Sequence, residues 1–76
     1  MITVKLYGLL RLDSGIKERQ LEASSVREVQ NKLIQMGLKK QDLDACIVLI
    51  NGTQANRRSK LNDGDVVTFL SPVAGG

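Results

Sequence analysis

The chain has no histidine, no tryptophan, and a single cysteine, proline, tyrosine and phenylalanine among its 76 residues. With one thiol, no intramolecular disulfide and no thiolate-rich metal site can form. Without imidazole, nucleophilic or general-base catalysis lacks its usual parts, which excludes most self-sufficient enzyme chemistries. Cys46 stands in the run Ala45-Cys46-Ile47-Val48-Leu49-Ile50 and reads as a small buried hydrophobe, with a reactive sulfur relay as the alternative. So few aromatic rings leave little for bases to stack on, and a net charge of +3 is too small to argue for nucleic acid. Long apolar runs are also missing. Met1 to Leu10 alternates and carries Lys5, unlike a signal peptide, and no run approaches membrane-spanning length. The expectation is a cytoplasmic protein with no membrane partner.

What is present describes one small globular domain. Ile2, Val4 and Leu6 alternate with Thr3, Lys5 and Tyr7, the period of a strand with one inward face. Gly8 to Gly15 reads as a loop with unusually apolar Leu9, Leu10 and Leu12, followed by a weak strand around Lys17 to Glu22. Ser25-Val26-Arg27-Glu28 is a capping box: the Ser25 hydroxyl can accept from the Glu28 amide while the Glu28 carboxylate reaches back to the Ser25 amide. The spacing of Val26, Val29, Leu33 and Met36 predicts an amphipathic helix, with Arg27, Gln30, Asn31, Lys32 and Gln35 towards water and Gly37 as its left-handed C-terminal cap. Cys46 to Ile50, apolar on both parities, predicts a strand covered on both faces or lying at the sheet centre. Asn51-Gly52 marks a tight turn. Leu61-Asn62-Asp63-Gly64-Asp65 marks another, with Asp63 and Asp65 as turn hydrogen-bonders, and it launches a strand over Val66 to Leu70. Arg57, Arg58 and Lys60 form the one basic cluster, either a solvated turn or a docking point for a partner.

After that strand the chain closes on Ser71-Pro72-Val73-Ala74-Gly75-Gly76. Two residues without a β-carbon form a thin thread that can enter a channel too narrow for side chains, and Pro72 stiffens its base. Fully extended, the segment from Ser71 reaches roughly 20 Å at about 3.3 to 3.6 Å per residue. The terminal carboxylate is therefore the candidate reactive group. The expected organisation is a domain over 1–70 and a flexible C-terminal tail over 71–76.

A hairpin, a helix across the sheet and further strands ending in Gly-Gly resemble the ubiquitin-like β-grasp, an α+β fold with a mixed sheet of four to five strands on one main helix. Tyr7-Gly8-Leu9-Leu10-Arg11, the apolar strand Val48 to Gly52, the turn Leu61 to Asp65 and the closing segment Phe69 to Gly76 are similar, in order, to motifs of the MoaD/ThiS family of sulfur carriers. They are nearest to MoaD, the small subunit of molybdopterin synthase. Three features depart from its pattern: Ser71 replaces a common proline, Gly8 a common alanine, and Leu12-Asp13 interrupts the acidic residue that often follows the Leu-Arg pair. The Ser-Pro pair also occurs in ThiS-like carriers for thiamine thiazole synthesis.

The resemblance implies a carrier rather than an enzyme. Gly76 would be the covalent carrier, adenylated and then converted to a thiocarboxylate, and Gly75 the residue that lets it pass. ATP and a persulfide sulfur donor would act through partners: an E1-like adenylating enzyme of the MoeB/ThiF type, a sulfurtransferase, and the large MoaE-type subunit or a thiazole synthase. Pro72, Val73 and Ala74 would line the threaded segment. Tyr7, Leu9, Phe69 and Leu70 are the candidates for an apolar docking patch. Neighbouring strand residues face opposite ways, so Phe69 and Leu70 cannot share one face, and core packing is the alternative for Phe69. A ubiquitin-like protein modifier would use the same activated end.

Overall fold

The computed structural model describes residues 1–71. The tail expected beyond them, from Pro72 to Gly76, lies outside the described residues. Five strands, β1 (Ile2–Tyr7), β2 (Glu18–Leu21), β3 (Ile47–Ile50), β4 (Thr53–Ala55) and β5 (Val66–Leu70), form one mixed sheet in the order β2-β1-β5-β3-β4. The strand nearest the C-terminus thus occupies the centre, parallel to β1 and antiparallel to β3. Ile2, Val4 and Leu6 of β1, Val48 of β3, and Val67 and Phe69 of β5 point to one face and are buried there with Val26, Val29 and Leu33 of helix α2 (Val26–Gln35). This is the β-grasp arrangement that the sequence pattern implies.

The ends of α2 show why it forms where it does. The Ser25 hydroxyl accepts from the Glu28 amide at 3.2 Å. The Glu28 carboxylate reaches one residue further back than expected, taking the Ser24 amide at 3.0 Å and its hydroxyl at 2.8 Å. The next two amides, of Val26 and Arg27, donate to the Ser59 and Arg57 carbonyls at 3.0 and 3.1 Å, so the irregular segment after β4 satisfies helix donors that would otherwise be orphaned. At the other end Gly37 has φ +109°, its amide bonds Ile34 and the Leu38 amide bonds Leu33, the paired arrangement of a Schellman cap.

Several expectations change. The apolar stretch after Gly8 is a short helix, α1 (Leu9–Ser14), and a second short helix, α3 (Lys40–Asp44), precedes β3. Met36 is exposed although it fits the apolar stripe, because the cap turns the chain away from the core there. Gln30 is buried rather than solvated, since its amide donates to Asp44 at 2.6 Å and its carbonyl accepts from Arg57. The strand β3 is paired on both edges, with β5 and β4, but is not covered on both faces: Val48 is buried while Ile47 is 52% exposed on the opposite face. The Asn51-Gly52 turn forms as expected, with both residues at positive φ between the paired Ile50 and Thr53.

Candidate functional site

The tail leaves from the end of β5, so the site is the sheet around Leu70. The register places Tyr7 of β1 and Ile47 of β3 on either side of Leu70. All three alternate with buried neighbours, Leu6, Phe69 and Val48, and therefore share the sheet face away from α2. The helix covers the other face and leaves this one open. Tyr7 is 41% and Ile47 52% exposed, Leu70 is half-buried between them, and exposed Leu9 and Leu12 follow on α1. The result is an apolar row across three strands at the edge from which the tail departs.

Of the residues named from sequence, Tyr7, Leu9 and Leu70 lie at this edge. Phe69 does not belong to the patch. Its side chain is fully buried, because the strand's alternation turns it into the core against the helix. Ile47 was missed as a site residue. Its signal was the both-parity apolar run of β3, which reads as burial until the strand order shows one face uncovered. Pro72, Val73, Ala74, Gly75 and Gly76 lie outside the described residues.

Ser71, assigned to the tail from sequence, is bonded into the fold. Its amide donates to the Tyr7 carbonyl at 3.3 Å, its hydroxyl donates to the same carbonyl at 2.8 Å, and its Oγ accepts from the Leu10 amide at 3.2 Å. Gly8 lies beneath it at φ +75°.

Beside Tyr7, the side chains of Lys5, Arg11 and Lys17 rim a shallow cleft of about 190 Å³ with Glu18 opposite Lys5. The positive charge near the tail thus comes from these residues rather than from the Arg57 cluster. Arg57 is half-buried and directs its guanidinium inward to Gln30 and to the carbonyls of Leu43 and Cys46. Arg58 and Lys60 are exposed, as a solvated turn requires. Cys46 is buried, its thiol directed to the Asp42 carbonyl at 3.2 Å, and burial pushes its pKa up to about 11. A thiol held neutral and covered is a poor nucleophile, which settles its reading as a core residue. Asp65 is occupied by turn hydrogen bonds from Asn62 and Asn51, as expected. Among the described residues no helix is long and apolar enough to cross a membrane.

Comparison with known proteins agrees with the fold. No curated protein matches the chain. SAMP1 from Haloferax volcanii superposes with a TM-score of 0.85 over 99% of this chain and 98% of its own, at 22% identity, a likeness of fold. The complex of subunits 1 and 2 of the molybdopterin-converting factor from Helicobacter pylori contains a chain that is 26% identical, with a TM-score of 0.74 over 99% of this chain and 97% of that one. The BexX/CysO complex of Amycolatopsis orientalis holds another, 25% identical, with a TM-score of 0.70 over the full length of both. The family model for ThiS matches residues 4–76. The chain belongs to the ThiS family.

Proposed function

We propose that this protein is a sulfur carrier that serves as the small subunit of a molybdopterin synthase. The observation that carries the reading is the apolar row Ile47–Leu70–Tyr7 on the uncovered sheet face, contiguous with the point where the Gly-Gly segment departs. A partner seated on that row receives the segment at the edge of its own interface. The relative from Helicobacter pylori, 26% identical, forms a complex with a second subunit, which supports a partner of that kind here.

A free α-carboxylate is anionic at neutral pH and a poor electrophile, so it needs activation. An E1-like enzyme of the MoeB/ThiF type supplies it: a Gly76 carboxylate oxygen attacks the α-phosphorus of ATP and pyrophosphate leaves. The terminal sulfur of a persulfide, delivered by a sulfurtransferase, then attacks the acyl carbon and AMP leaves. Cleavage of the resulting acyl disulfide by a thiol releases the thiocarboxylate. The carrier's own residues bind, orient and present; the partners provide the chemistry.

The test is intact-mass analysis after incubation with ATP, an adenylating enzyme of that type and a persulfide donor. Exchange of one oxygen for sulfur at Gly76, followed by its loss on mixing with a MoaE-type subunit and the pterin precursor, is the expected result. Sulfur loss only to a thiazole synthase assigns the protein to thiamine synthesis, a lysine-linked protein adduct makes it a modifier, and an unchanged mass refutes carrier chemistry.

A further inference from the structure

We propose that Ser71 and Gly8 form a latch that fixes where the tail leaves the sheet, making Ser71 a positioning residue for activation of Gly76; the inference rests on the carrier reading above. Helix α1 has Gly8 at its N-cap and no side chain of its own to cap it. The missing acceptor comes from Ser71, 61 positions along the chain, whose Oγ takes the Leu10 amide while its hydrogen goes to the Tyr7 carbonyl. A serine oxygen that accepts a first-turn amide is performing an N-cap's task from another element. The Ser71 amide, also on the Tyr7 carbonyl, continues the β1–β5 contact one residue beyond the strand.

The fit depends on residue 8 having no side chain. A β-carbon there would collide with the Ser71 hydroxyl and come 2.7 Å from the Ser71 carbonyl oxygen, and the φ of +75° is itself unfavourable for any other residue. Two of the departures from the MoaD-like pattern, Ser71 for proline and Gly8 for alanine, therefore meet in one contact. Proline stiffens a chain by fixing φ; here the hydroxyl ties residue 71 to β1 and α1 instead, so that Ser71 is already held when a partner takes the tail.

The measurement is ATP–pyrophosphate exchange by a MoeB/ThiF-type enzyme of the same organism, as a function of carrier concentration, together with amide hydrogen exchange at Leu10. Ser71→Ala removes the tether without adding bulk. Two hydrogen bonds at the low end of the usual net strength, as suits this part-exposed site, correspond to about a five- to tenfold change in an equilibrium. The expected result is a KM for the carrier raised about five- to tenfold with kcat within about twofold, and Leu10 exchange faster by about the same factor. Ser71→Thr, which keeps the hydroxyl, restores both. An unchanged KM in Ser71→Ala, a lowered kcat in place of the raised KM, or unaltered Leu10 exchange overturns the latch. Failure of the wild-type chain to be adenylated sinks the carrier reading instead, and Leu10 exchange still decides whether the tether exists.

Discussion

The Arg57 guanidinium donates from Nε to the side-chain carbonyl of Gln30 at 3.1 Å, joining the segment after β4 to the middle of α2. Gln30 passes the connection on to Asp44, and Lys40 meets the same carboxylate at 2.9 Å. The other guanidinium nitrogens reach the Leu43 carbonyl in α3, which also accepts from the Cys46 amide, and the Cys46 carbonyl just beyond the helix. Arg57 therefore holds three segments together, and its charge is spent internally.

From this follows a contrast between neighbours. Arg57→Ala leaves the buried Gln30 carbonyl without its donor and withdraws the guanidinium from the Leu43 and Cys46 carbonyls, which costs about 2–3 kcal/mol, the usual scale for a broken, partly buried network. Arg58→Ala, at an exposed site, changes stability by less than about 0.5 kcal/mol. Urea unfolding of the two variants at neutral pH measures the difference. Equal midpoints would show that Arg57 is as solvated as its neighbour.

Docking and core roles separate on adjacent residues of the sheet. Ile47→Glu places a charge on the open face and leaves the interior intact, so its unfolding midpoint stays close to wild type. Binding to the activating enzyme or to the large subunit weakens by tenfold or more, about 1.4 kcal/mol or above, the scale of an interface hot spot. Phe69→Ala does the reverse, losing about 3–5 kcal/mol of stability through a core cavity. Titration calorimetry alongside thermal unfolding distinguishes the two. Full-strength binding by Ile47→Glu would remove the row from the interface.

Local signals carried most of the fold. The capping box, the Schellman glycine and the Asn51-Gly52 turn each act within a few residues, and each is legible because the sequence holds both partners close together. What escaped depends on distant parts. The helix α1 is capped by Ser71, so nothing near Leu9 announces it. Gln30 occupies a polar position on the helical wheel and is buried only because Arg57 and Asp44 arrive from elsewhere to bond it. The exposure of Ile47 follows from strand order, since an apolar residue of β3 faces solvent only if no second layer covers that side. At the site, Tyr7 and Leu70 were legible from their place beside the tail, whereas Phe69 required the register to turn it inward.

Acid should loosen the turn that launches β5. The Asn62 amide donates to one oxygen of Asp65 at 2.8 Å and the Asn51 side chain to the other at 3.0 Å, and these bonds hold its carboxyl below the usual range. Asp44, bonded by Lys40 and Gln30, and Glu28, bonded by Ser24, are lowered likewise. A lowered folded-state pKa means stability that is complete above the ordinary carboxylate range and is lost as pH falls through the folded value. The urea midpoint is therefore flat between neutrality and about pH 5 and declines below about pH 4. Asp65→Asn shallows that decline. A midpoint that rises on acidification would contradict the assignment.

The sharpest prediction concerns the tail. Gly75 follows the last described strand in sequence, and under the proposed function Gly75→Ala is expected to leave the melting temperature unchanged and to act on passage through a partner's channel. If that channel admits only a thread without β-carbons, one added methyl displaces the Gly76 carboxylate from the α-phosphorus of ATP. A misplacement on the order of 1 Å costs about 10²-fold in rate. Adenylation and thiocarboxylate formation should both fall by about that factor. Adding a residue after Gly76 goes further, because the reacting carboxyl is then an internal amide, and thiocarboxylation at Gly76 ceases. Retained sulfur loading by the extended chain, with mass spectrometry showing no trimming, would mean that the chemistry resides elsewhere in the molecule.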